Sequence, residues 1–164
     1  MPASNALSRA VSQIQKLPAP LRGRAITLVF NSQVRFAGTG KVRFESLTHE
    51  RAVLHLPNHA KVRNHIGGVH AAAMALLAET ATGSVFGMNV PATHLPVIKT
   101  LKVDYLRRAE GALTAVAQLD DQARARLQEE DKGDLIVPVT ISDESGREPV
   151  ACEMHWAWIP KRRD

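Results

Sequence analysis

The feature that most limits what this chain can fold into is one alanine-rich helical run, from Val69 to Met88, that leaves no polar stripe. Ala71, Ala72, Ala73, Ala75, Leu76, Leu77, Ala78, Ala81 and Val85 fall all round a helical period, and a helix apolar on most sides is buried on most sides. The rest of the chain must supply its wrapping. Glu79 is the exception inside the run. A carboxylate is rarely buried without a partner, so this one lines a pocket, meets a cation or takes part in chemistry.

The approach to the helix reads Asn64-His65-Ile66-Gly67-Gly68, a polar stretch in which the paired glycines permit a tight turn. The first backbone N–H groups of the helix, around Val69 to Ala72, have no intrahelical acceptor. They form a donor cluster suited to a phosphate, a carboxylate or the oxyanion of a thioester under attack. His70 and Glu79 stand nine positions apart, which on a regular helix is about 13.5 Å of rise and about 180° of rotation. One helix therefore cannot bring them together. If both serve one substrate, the carboxylate comes from a second copy across a two-fold axis.

Taken in order, residues 1–37 predict a helical extension, 38–160 a core domain and 161–164 a basic tail. Ser4 or Asn5 is placed to cap a helix carrying Leu7, Val11, Ile14 and Leu17, which Pro18 and Pro20 end. A second helix is expected over Leu21 to Asn31, the pair packing on the domain. Val42 and Phe44, then Ala52, Leu54 and Leu56, alternate as a hairpin. After the long helix, alternation predicts strands over Val97 to Arg107, Ala112 to Leu119, Leu135 to Ile141 and Val150 to Trp158, with a charged loop or short helix over Asp120 to Asp134. Two strands, one buried helix and four strands joined by short loops make an α+β domain in which an antiparallel sheet curls around the helix.

Composition adds bounds. The 164 residues, 45% of them hydrophobic, suit one domain, and the net charge of +5 with only 4% aromatics and no nucleic-acid motif points to no nucleic-acid partner. Basic side chains such as Lys99, Lys102, Arg107 and Arg108 could face phosphates of a small ligand. A single cysteine excludes an internal disulfide and fits a reducing cytoplasm, and no segment reads as a signal peptide or a comfortable membrane span. Cys152 shares an apolar face with Met154 and Trp156, which reads as a packed thiol. No metal-ligand set and no resident cofactor are expected.

Asn64, Gly67, Val69-His70, two small residues and then Leu77-Ala78-Glu79 resemble the N..G.VHGG.....LAD/E signature of hotdog-fold acyl-CoA thioesterases, notably the PaaI-like group and the 4-hydroxybenzoyl-CoA thioesterase type. Ala71 and Ala72 replace the family's paired glycines, keeping small side chains but losing the freest backbone approach. The resemblance implies a hotdog fold, a homodimer or dimer of dimers, and acyl-CoA as substrate, with coenzyme A present only as part of it. It implies that Glu79 is the general base or nucleophile, Asn64 and His70 orient, and Gly68, Val69, Ala71, Ala72 and Thr80 bind substrate, with the acyl chain in an apolar slot between subunits. Two alternatives stay open: an acyl-CoA or fatty-acid binding protein without turnover, and an enoyl-CoA hydratase or dehydratase using His65 with Glu79.

Overall fold

Helix α4 (Ala71–Asn89) is the element that the others enclose. The structure, a computed structural model, describes residues 4–162, so the first three residues of the extension and the last two of the basic tail lie outside the described residues. Leu77, Ala78, Ala81, Val85 and Phe86 of α4 are fully buried. By length and composition alone this helix is long and apolar enough to cross a bilayer, but most of it lies inside the protein. Its apolar surface is that of a core helix.

The enclosing strands are β1 (Arg43–Leu47), β2 (Arg51–Leu56), β3 (His94–Tyr105), β4 (Leu113–Gln118), β5 (Gly133–Val137), β6 (Val139–Asp143) and β7 (Val150–Pro160). They form one antiparallel sheet in the order β1-β2-β4-β6-β7-β3, with β5 also on β7. The single strand expected over Leu135 to Ile141 is two, and Pro138 is the reason. Proline has no N–H to donate to a ladder, so the pairing changes there: β5 continues on β7 and β6 on β4. The alternation survives the break, with Val137 and Ile141 both buried against the helix side. The charged segment folds as helix α5 (Asp121–Glu129), capped by Asp120 accepting from the Ala123 N–H.

Three N-terminal helices complete the layer: α1 (Ala6–Ile14), α2 (Ala19–Gln33) and α3 (Arg35–Thr39). Asn5 caps α1 in a reciprocal capping box with Ser8, and its Nδ2 donates to the carbonyls of Gly87 and Val90, each at 2.7 Å. That pins the start of α1 to the last turn of α4. Helix α2 covers the outer edge of β1, where the Thr27 hydroxyl accepts the Phe44 N–H at 2.8 Å and Phe30 packs on Phe44 at 4.8 Å between ring centroids. One sheet edge is thus closed by a helix. The opposite edge, β3, is open, with Leu95, Val97, Leu101 and Tyr105 each exposed.

Candidate active site

The helix start is held by its own loop. Asn64 Oδ1 accepts from the N–H groups of Ile66 and Gly68 at 3.1 and 3.0 Å, and the Asn64 N–H donates to the Gly68 carbonyl at 2.9 Å. Gly67 between them has φ +81°, a left-handed conformation that glycine adopts without cost. Arg108 donates to the Ile66 carbonyl at 2.5 Å, and Tyr105 Oη to the Ala71 carbonyl at 2.8 Å. Gly68 and Val69 are buried, and His70 is exposed.

His70 is the N-cap of α4, and its Nδ1 accepts the Ala72 N–H at 3.0 Å. The other ring nitrogen then carries the proton of the neutral imidazole. The His70 carbonyl accepts from Ala73 and Met74, at 2.9 and 3.2 Å. Ala71 N–H, first in the helix, has no intrahelical acceptor, and among the described residues no other group takes it up. It is a donor of the first turn left to a ligand. A recess of about 160 Å³ opens here, lined by Phe36, Lys61, His70, Ala72, Ala73 and Leu76.

Glu79 faces a different space. It is half-buried and borders a cavity of about 500 Å³ whose walls include Leu7, Phe30, Gly83, Gly87, Val90 and Trp156. Among the described residues it has no ion-pair partner at contact distance. Burial pushes its carboxyl above the usual glutamate range, and the neighbouring Thr80 hydroxyl draws it part of the way back. Thr80 lines the same cavity at 2% exposure, and no atom meets full hydrogen-bond geometry with its Oγ1.

Within one chain the structure therefore brings Asn64, Gly68, Val69, His70, Ala71 and Ala72 together at one end of α4. It places Glu79 with Thr80 at a second space that shares no wall with the first. The slot expected between subunits has a counterpart inside a single chain, because α1 and α2 fold over the uncovered face of α4. Sequence reasoning passed over Gly83, Gly87 and Trp156. The signal was present: Glu79, Gly83 and Gly87 recur every four residues on one helix face. An added Cβ at Gly83 would stand 2.6 Å from Trp156 Cζ2, so only glycine lets the indole lie on the helix.

The basic residues of β3 and its following loop are engaged. Lys99 pairs with Asp134 at 2.7 Å, Lys102 with Asp104 at 3.6 Å and Arg107 with Asp143 at 2.6 Å. The Cys152 thiol is pushed up to about 11 by burial and then by the Asp104 carboxylate, so it stays protonated. His65 is exposed on the loop.

An antiparallel sheet folded round one core helix is the hotdog fold, and the architecture matches that of solved hotdog-fold structures. The chain belongs to the family described as a domain of unknown function, DUF4442, whose model matches residues 22–159. It is similar to a Pseudomonas aeruginosa protein of unknown function described as a probable thioesterase, with 25% identity, a TM-score of 0.73 and coverage of 88% of this chain and 97% of that one. A thioesterase family protein from Silicibacter pomeroyi shares the fold at 14% identity and TM-score 0.67, covering 82% of this chain and 96% of that chain. A Haemophilus influenzae thioesterase does so at 13% identity and TM-score 0.60, covering 76% and 82%. No curated protein matches the sequence.

Proposed function

We propose that the protein hydrolyses the thioester of a fatty or aromatic acyl-CoA as a homodimer, with Glu79 of one copy acting on a carbonyl held at the helix start of the other. The observation that carries the reading is Glu79 itself: a half-buried carboxylate, raised by burial, beside a cavity and with no ion-pair partner at contact distance among the described residues. A structural carboxylate at that depth would have a charged partner. A base that must take and release a proton near neutral pH gains from a raised pKa.

In the proposed reaction the ionised Glu79 removes a proton from water while the water oxygen attacks the thioester carbon. The negative charge moves to the carbonyl oxygen, where the Ala71 N–H receives it. Collapse of the tetrahedral species breaks the C–S bond, and the proton on Glu79 passes to the departing thiolate. In the nucleophilic variant of the same step, a Glu79 oxygen attacks first and water then hydrolyses the mixed anhydride. His70 keeps the helix start in shape through its bond to Ala72, and Asn64 does the same for the loop.

Dimer formation is supported by the open β3 edge, whose exposed Leu95, Val97 and Leu101 would be covered if two such edges paired. The separation of the two half-sites along α4 supports the exchange of residues between copies. A thiol-release screen over aliphatic and aromatic acyl-CoAs tests the reading. The expected result is turnover by the native protein and none by Glu79→Gln. Tight acyl-CoA binding without thiol release would instead identify a binding protein.

A further inference from the structure

We infer that the cavity beside Glu79 is a channel for an unbranched acyl chain, and that Leu7 of α1 narrows it about ten carbons from Glu79. This rests on the thioesterase reading for the chemical nature of the group at the Glu79 end, but the channel itself stands on separate geometry. The floor is the face of α4 that the sheet leaves uncovered, formed by Glu79, Gly83 and Gly87. Two glycines there remove side chains that would fill the space. The walls are Trp156 on one side and Phe30 on the other. Leu7 narrows the space over Gly87, since a Cβ there would touch Leu7 Cδ2 at 3.6 Å, and the lining runs on past it to Val90, Pro91 and His94.

The length follows from the helix. Glu79 to Gly87 is eight residues, which at 1.5 Å each makes about 12 Å. An extended chain advances about 1.2 Å per bond, from about 3.5 Å per three-bond residue, so the floor accommodates about ten carbons. Volume sets a looser bound: at about 30 Å³ per small group, the share of a water molecule in the liquid, ten carbons need about 300 Å³. The cavity holds about 500 Å³.

Polarity fixes the orientation. At one end stand Glu79 and the Thr80 hydroxyl, almost fully buried and without a partner of full hydrogen-bond geometry. A donor so placed suits an uncharged polar head such as a thioester or an alcohol, whereas a carboxylate head would meet Glu79 as a like charge. At the other end His94 and Lys161 are turned to backbone carbonyls, of Asp131 at 2.6 Å and Ala92 at 2.7 Å. The middle is apolar. The bonds of Asn5 to Gly87 and Val90 hold α1 in place against the end of α4.

The test is a titration of the full chain with S-alkyl-CoA thioethers of four to sixteen carbons, which bind but cannot be hydrolysed, and in parallel with n-alkanols of the same lengths. Affinity should tighten about three- to fourfold per methylene, up to about ten carbons, and then level off. Leu7→Ala should move the plateau about two to three carbons longer, and Leu7→Trp should shorten it by about as much. Gly87→Ala adds a methyl in ordinary contact with Leu7 and improves helix propensity, so it keeps the fold and should shorten the plateau by about one carbon. A plateau that stays put in all three variants, or no dependence on length, overturns the inference. If alkanols show the plateau while CoA thioethers bind no better, the channel stands and the coenzyme A reading falls.

Discussion

Replacing Ala71 by proline removes one hydrogen-bond donor and almost nothing else. Ala71 is the first residue of α4, where proline's fixed φ matches the helix. The residue before it, His70, already has φ −65° and ψ 143°, the extended conformation that a following proline requires. No intramolecular bond among the described residues is lost, because the Ala71 N–H has no acceptor there. The bond from Tyr105 goes to the Ala71 carbonyl, which remains. Stability should therefore hold or rise by about 0.4–1 kcal/mol through the stiffer unfolded chain. If this N–H receives the developing oxyanion, kcat should fall about 10²- to 10³-fold, or about 2.7–4 kcal/mol of barrier. Thiol release from an acyl-CoA and a thermal melt on the same preparation give both quantities, and Ala71→Gly, which keeps the donor, should retain activity. Native turnover in Ala71→Pro with an unchanged melt would refute the role of the helix start.

Glu79→Gln should abolish hydrolysis and raise the melting temperature at neutral pH. The sign follows from the raised pKa: the fold prefers the neutral acid, so the stability Glu79 contributes is present at low pH and lost as pH rises through the elevated value. Melts of the two proteins should coincide at acid pH and separate as pH increases. The activity of the native protein should show an acid limb above pH 4.5, the ordinary value for glutamate. Gly83→Ala should destabilise by about 1–3 kcal/mol, since its Cβ overlaps the Trp156 ring, measurable as a lower denaturant midpoint. Burial alone would raise the Asp143 carboxyl, but the Ser145 hydroxyl, the Glu110 N–H, Arg107 and the Ser145 N–H hold it far below the usual range. Asp143→Ala removes the closer of the two carboxylates that Arg107 pairs with, leaving Glu110 at 3.5 Å, and should cost about 3 kcal/mol in the same measurement.

The buried helix was legible because its apolar residues run all round it, and a sheet that must enclose such a helix has few alternatives. The capping role of Asn5 was legible as one of two adjacent candidates, and the alternation of Ala52, Leu54 and Leu56 marked β2 without ambiguity. Pro138 was legible in kind but its consequence was not, since the pattern Leu135, Val137, Val139, Ile141 passes straight through it. Alternation records which face a side chain occupies, whereas the exchange of partners at Pro138 is a matter of backbone donors. The alternation over β3 marked a strand, but only the strand order shows that its Leu101 and Tyr105 stand exposed on an open edge. In the candidate site, Glu79 stood out as a charge in an apolar run. Leu7 and Phe30 did not, because their approach to Gly87 and Trp156 depends on how an N-terminal helix crosses a segment some eighty residues away.

The most direct measurement mixes two disabled proteins. Glu79→Gln keeps the donor end and loses the acid, and Ala71→Pro keeps the acid and loses the donor. If each site takes its acid from one copy and its helix start from the other, unfolding and refolding an equimolar mixture makes half the dimers mixed, each with one intact site. Thiol release should then recover to about a quarter of the native rate, while either variant alone stays inactive. A mixture no more active than its components would contradict a site shared between two copies.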